Sequence, residues 1–112
     1  MIIEKKDNYT LISQNSTDIS LNNLLADLEE KYKSIENESV FVQLSEELTV
    51  KEEDFFVFLR YAELHNEAGT TFVLVHKGID IDNFPEDFNI APTLQEAEDI
   101  LEMENIQRDL GF

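Results

Sequence analysis

The sequence contains no cysteine and only three glycines and two prolines. The absence of cysteine excludes disulfide bonds, thiol catalysis and zinc sites with cysteine ligands. The glycines stand far apart, at Gly69, Gly78 and Gly111, whereas a loop that binds phosphate groups needs clustered glycines. Because there is also no linker, repeat or low-complexity tract, we expect residues 1–112 to form one domain.

Long apolar runs are lacking as well. No apolar stretch approaches about 18 residues, the length that a membrane-spanning helix needs. No basic leader followed by an apolar segment opens the sequence either. We therefore expect a soluble, cytoplasmic protein.

Basic residues are scarce. Eight lysines and arginines stand against 25 aspartates and glutamates, which gives a net charge of −17. Such a surface repels nucleic-acid phosphates and anionic membranes, so we expect direct binding to neither. The charge favours a basic protein as partner, and we expect the chain itself to be a monomer or a weak homodimer. The apolar fraction of 42% is sufficient for a folded core.

The middle of the chain is typical of a βαβ unit. Residues 40–44 and 71–75 are near-continuous apolar runs, which indicates parallel strands that are covered on both faces. The segment between them is long enough for a crossover helix over residues 50–68. Phe55, Phe56 and neighbouring residues make this helix apolar on nearly all sides. It is therefore either deeply buried or presents an aromatic flank to a partner, and we expect one of its rings to be exposed.

The N-terminal part predicts a hairpin and a helix. Two short strands flank residues 6–8, where Asp7 and Asn8 tolerate the positive φ of tight turns. Ser20 is a predicted N-cap. One face of the helix that follows is apolar and consists of Leu21, Leu24, Leu25, Leu28 and Tyr32.

The C-terminal part predicts a last strand and a helix. Residues 88–91 form the strand, and Thr93 and Glu96 form a capping box that opens a helix reaching to about Leu110. The resulting order is ββαβαββα. It predicts an α/β domain with an N-terminal hairpin, a mostly parallel sheet of four or five strands and about three main helices.

Three stretches of the sequence resemble the STAS domain, the fold of bacterial anti-sigma-factor antagonists and of the cytoplasmic tails of sulfate transporters. Residues 40–45 are similar to that family's central strand, and residues 55–75 to a helix and the strand after it. Residues 91–97 are similar to its last strand and the start of its final helix. The resemblance implies a STAS-like domain that acts by binding other proteins.

The sequence departs from that family at the start of the central helix. Switching members have an Asp-Ser-Ser-Gly type of turn there, with a serine that is phosphorylated, whereas this chain has Lys51, Glu52, Glu53 and Asp54. Glu53 stands where the resemblance puts the phosphoserine, but a carboxylate carries less charge than a phosphate. Alternatively, Glu52 closes a capping box with Thr49, and the next two acids complement the helix dipole.

Histidines are the first candidates for acid–base chemistry, and the chain has two. We expect His65 at the surface near the end of the central helix, where an imidazolium complements the dipole. His76 follows a strand, at the edge where α/β active sites lie, but no catalytic motif surrounds it.

Some short acidic chains are called ribonuclease Z. That chemistry is excluded here because it needs a His-x-His-x-Asp-His cluster. We therefore predict no catalytic residues.

Residues 80–87 are the one stretch that looks like a metal site. An EF-hand loop has oxygen ligands at positions 1, 3 and 5, glycine at 6 and glutamate at 12. Counted from Asp80, the chain instead has Phe84, Pro85 and Ala91 at the last three of those positions. We interpret the stretch as a solvated acidic loop, leave weak Ca²⁺ or Mg²⁺ binding open, and predict neither a metal site nor a cofactor.

The leading hypothesis is a non-catalytic, STAS-like domain that binds another protein. Its binding surface is predicted at the N-terminal end of the central helix, where acids lie beside exposed aromatic area. The residues concerned are Thr49, Glu52, Glu53, Asp54 and Phe56.

Two alternatives come from other classes of function. An acidic decoy would mimic nucleic acid and occupy a basic nucleic-acid-binding protein through the carboxylates of the C-terminal helix. An enzyme would need a pocket around His76 and Asp80. Steep salt dependence of partner binding would favour the decoy over the leading hypothesis.

Overall fold

Strands and helices follow each other in the order ββαβαββα that the sequence predicts. The computed structural model describes residues 1–48, 52–79, 82, 84, 85 and 88–111, and of Glu52 only the backbone. The elements are β1 (Ile2–Lys5), β2 (Thr10–Ser13), α1 (Leu21–Lys31), β3 (Val40–Gln43), α2 (Glu52–Ala68), β4 (Phe72–Val75), β5 (Asn89–Ala91) and α3 (Leu94–Asp109). A short 3₁₀ helix, Tyr32–Ser34, prolongs α1. The predicted α/β class is confirmed.

The five strands form one sheet in the order β1-β2-β3-β4-β5. β1 and β2 are antiparallel, and the other three pairs are parallel. In the two apolar central strands, Val40 lies opposite Phe72 and Val42 opposite Leu74. Side chains at these positions are buried, as expected for parallel strands that are covered on both faces.

The N-terminal hairpin forms without the positive φ that we expected at Asp7 and Asn8. Among the described residues, only Gly69 and Gly111 have positive φ. Lys5 lies opposite Thr10, so the loop has four residues, and the Lys6 amide donates a hydrogen bond of 2.8 Å to the Tyr9 carbonyl. Two-residue loops require positive φ, whereas a four-residue loop can be built around an ordinary turn.

The helices cover the two faces of the sheet unequally. α1 and α2 pack on one face, which we call the helix-pair face, and α3 packs on the other, the α3 face. Alternate strand residues point to opposite faces, so the sheet contributes to two cores. The helix-pair core includes Ile12, Val42, Leu74, Leu28 and Phe58, and the α3 core includes Leu11, Phe41, Val73, Ala97 and Leu101.

The connection between β4 and β5 contributes two aromatic side chains to the core. Phe84 and Phe88 are buried in the helix-pair core, with ring centroids 5.6 Å apart. The described part of this connection contains no α-helix, as the sequence predicts. Two phenylalanines of this connection therefore extend the helix-pair core.

Polar contacts fix the two ends of α3. At its start, the Thr93 hydroxyl accepts a hydrogen bond of 3.3 Å from the Glu96 amide, which confirms the predicted N-cap. Near its end, Glu104 accepts hydrogen bonds from the side chains of Thr71 (2.8 Å) and Asn89 (2.7 Å). These bonds attach α3 to the β4–β5 edge of the sheet.

Among the described residues, no helix has the length and apolar character to cross a membrane.

Candidate functional site

The predicted partner-binding residues lie at the start of α2, and the structure describes three of their side chains. Phe56 is 45% exposed, Glu53 is exposed and Asp54 is half-buried. Thr49 and the side chain of Glu52 lie outside the described residues, and so does their predicted capping box. The expectation that one ring of the aromatic run is exposed is confirmed by Phe56.

The two sides of α2 differ because the helix packs against the sheet along one side only. Phe55 and Phe58 are buried against the sheet. Phe56 and Val57, each 45% exposed, and Leu64 point away from it. Arg60 lies on this outward side, since it follows Phe56 by one helical turn. We call Glu53, Phe56, Val57, Arg60 and Leu64 the α2 surface.

The exposed ring of Phe56 is held in place rather than free. Its centroid lies 5.3 Å from that of the buried Phe84. Further along α2, the helix and the β4–β5 connection enclose a hollow of about 80 Å³. The hollow is lined by Leu59, Ala62, Glu63, Asn66, Pro85 and Phe88. The α2 surface thus presents an exposed aromatic side chain that packs against a buried ring, and the hollow lies further along the same helix.

His65 is fully buried, so the prediction of a surface role at the end of α2 is wrong. It follows Phe58 by seven residues, which puts both side chains on the sheet-facing side of the helix. Its ring packs against Phe72 at 5.4 Å and Tyr32 at 5.6 Å between centroids. The spacing from Phe58 was the signal in the sequence, and proximity to the helix end was the wrong guide.

The surroundings of His65 favour the neutral imidazole. The Thr70 hydroxyl donates to the His65 carbonyl (3.2 Å) and lies 2.9 Å from Nδ1 of the ring. Among the described residues, Nε2 has no partner with hydrogen-bond geometry. Burial lowers the pKa of His65 below its usual 6.5, although the backbone of Glu38 opposes this effect. Burial is the larger of the two because it removes the charged form from water.

His76 lies at the carboxyl end of β4, as the sequence predicts, and is almost fully buried. Its Nδ1 accepts a hydrogen bond of 3.0 Å from the Gly78 amide, which places the proton of the neutral ring on Nε2. Nε2 is buried and has no hydrogen-bond partner among the described residues. A Cβ at position 78 would lie 2.9 Å from the His76 ring, so a larger residue there would displace the ring. Asp80, which the enzyme hypothesis pairs with His76, lies outside the described residues.

Most of the acidic loop also falls outside the described residues, since only positions 82, 84 and 85 of residues 80–87 are described. Elsewhere in the described chain, no group of three or more histidines and acids has a geometry that could hold a metal ion.

No family's sequence model matches this chain, and no curated protein matches it.

Proposed function

We propose that this chain is a non-catalytic, STAS-like domain that binds another protein through the α2 surface. The observation that carries the proposal is the exposure of Phe56 and Val57, each 45%, on a chain with a net charge of −17. Adjacent exposed apolar side chains on a charged surface are typical of interaction sites. Lys51, Glu52, Glu53 and Asp54 contain no hydroxyl, so the proposed binding is not switched by phosphorylation at this turn.

Phe56 has the properties of an anchor for such a partner. Aromatic residues in well-packed surroundings carry much of the binding energy of protein interfaces. The ring of Phe56 packs against Phe84 at 5.3 Å between centroids, and this contact reduces the side-chain freedom that is lost on binding. Arg60 and Glu53 supply polar groups around it, and the acid favours a partner with basic residues at the rim.

The proposal is tested by affinity capture from a lysate of the source organism, followed by titration of the purified partner. We expect Phe56→Ala to weaken binding by about tenfold or more. Met103→Ala removes an exposed apolar side chain from α3 and is the matched control. The triple variant Glu52→Gln, Glu53→Gln and Asp54→Asn tests the contribution of the acids. Equal binding by wild type and Phe56→Ala would contradict the proposal.

The decoy remains the alternative, and salt separates it from the leading proposal. A nucleic-acid mimic binds through many charge pairs, so its affinity falls steeply between about 0.05 M and 0.5 M salt. Binding centred on Phe56 depends weakly on salt. The decoy would be favoured if the captured proteins bind nucleic acid, are released by salt, and bind Phe56→Ala as well as they bind the wild type.

A further inference from the structure

The α3 face of the sheet is only partly covered. Neighbouring strands lie about 4.8 Å apart, so five strands span about 19 Å between the outer two. One helix with its side chains is about 10 Å wide. α3 packs against β4 and β5, and no other described helix lies on this face. Leu11 of β2 is buried in the α3 core, whereas Ile2 and Glu4 of the outer strand β1 are exposed on this face.

A groove of about 820 Å³ runs beside α3 on this side. One wall is the hairpin turn, residues 5–9, and the other is α3 from Glu98 to Asp109. Tyr9 forms part of its lining, with its ring stacked on Phe41 at 4.0 Å between centroids. Ile106, which is 53% exposed, lines the groove from the α3 side. The groove thus has apolar side chains within it.

A hydrogen bond fixes the two walls relative to each other. The Tyr9 hydroxyl donates to the Glu98 carboxylate at 2.8 Å, joining residues that are 89 positions apart. Burial and this contact with Glu98 raise the pKa of Tyr9 to about 12. The hydroxyl therefore keeps its proton throughout the physiological pH range. The groove is a preformed feature rather than a gap between independent segments.

The charges of the groove are unbalanced. Lys5 and Lys6, on the turn, are paired with Glu38 (2.6 Å) and Glu4 (3.0 Å). The carboxylates that line the α3 wall are Glu98, Glu102 and Asp109. They follow a spacing of four and seven residues, which puts them on one side of the helix. Within the described chain, none of these three forms an ion pair with a basic side chain, so the groove presents uncompensated negative charge.

We propose that the groove between the hairpin turn and α3 binds a basic amphipathic helix of a partner protein. Apolar side chains of that helix would contact Ile106 and Tyr9, and its lysines and arginines would pair with Glu98, Glu102 and Asp109. A second copy of this chain is disfavoured as occupant, because each copy carries a net charge of −17. This site lies on the opposite side of the sheet from the α2 surface.

The test uses a synthetic, fluorescein-labelled peptide about as long as α3, with leucine at helical positions i, i+3, i+4 and i+7 and lysine elsewhere. Fluorescence anisotropy at about 0.15 M salt measures its affinity. We expect Ile106→Asp to weaken binding by about tenfold or more. Met103→Asp introduces the same charge at an exposed apolar residue of α3 outside the groove, and we expect a change of about twofold or less.

A charge-matched pair of variants distinguishes the groove from general attraction to an acidic surface. Glu98→Gln with Glu102→Gln should weaken peptide binding more than Glu29→Gln with Glu30→Gln, two exposed acids of α1. NMR amide shifts should concentrate at residues 5–9 and 98–109. The proposal would be overturned by equal losses of peptide affinity in the two pairs of variants, or by a scrambled peptide that binds equally well. It would also be overturned if the peptide did not bind, or if the amide shifts centred on α2. Failure here leaves the α2 proposal intact, because Phe56→Ala tests a separate surface.

Discussion

His65 links the stability of this fold to pH. Burial lowers the pKa of its imidazole in the folded state, whereas the unfolded chain keeps the ordinary value of about 6.5. The unfolded state therefore binds a proton more readily. The neutral, buried imidazole makes its full contribution to the stability of the folded state at pH values above the unfolded-state pKa. This contribution is lost as the pH falls through the unfolded-state pKa toward the folded-state pKa.

We therefore predict that the wild type loses more free energy of unfolding than His65→Gln when the pH falls from about 7.5 to 5.5. Glutamine does not titrate, so subtracting the free energy of unfolding of the variant from that of the wild type removes the contribution of all other groups. Urea unfolding of both proteins at a series of pH values measures this difference. Parallel pH profiles would show that the buried ring of His65 does not control this dependence.

At the scale of one element, α2 separates a structural side from an exposed side. Phe58 is fully buried and packs against Phe72 in β4, with ring centroids 6.5 Å apart. Phe56, two residues earlier, is 45% exposed. The same chemical change at these two positions therefore has different consequences for stability.

We predict that Phe58→Ala lowers the free energy of unfolding by about 3–5 kcal/mol, because it leaves a cavity against the sheet. Phe56→Ala should cost about 1 kcal/mol or less, since nearly half of this side chain is already exposed to water. Urea unfolding of both variants tests this. A similar loss in both would mean that Phe56 belongs to the core and that Phe56→Ala is unsuitable as a binding variant.

At the scale of the whole molecule, charge repulsion opposes the folded state. A net charge of −17 is confined within a radius of gyration of 13.3 Å. Unfolding moves these charges apart, and salt screens them. The ion pairs act in the opposite direction, but pairs at the surface, such as Lys77 with Glu46, contribute at most about 1 kcal/mol each.

We predict that the thermal unfolding midpoint rises as NaCl is increased from about 0.02 M to 0.5 M. The variant Glu63→Gln, Glu67→Gln and Glu102→Gln carries three fewer negative charges at exposed positions, so its midpoint should rise less. Calorimetry of both proteins at the two salt concentrations provides the comparison. A midpoint that falls with salt would mean that ion pairs outweigh the repulsion.

The sequence alone determined the order of the elements and the main features of the core. Apolar runs that are continuous rather than alternating indicated parallel strands, and β3 and β4 are parallel. The cap residues Ser20 and Thr93 also act where the sequence placed them, because an N-cap bond joins residues only three positions apart. Local chemistry is sufficient for such features.

Tertiary structure decided the burial of His65 and the shape of the α3 face. A polar residue near a helix end is compatible with both the surface and the core. The packing of α2 against β4 is what places His65 in the core. The Tyr9–Glu98 bond joins the two ends of the chain and has no local signal. Periodicity shows which side of a helix is apolar, but only packing shows how much of a sheet face that helix covers. The groove beside α3 is therefore a property of the fold that the residue pattern does not contain.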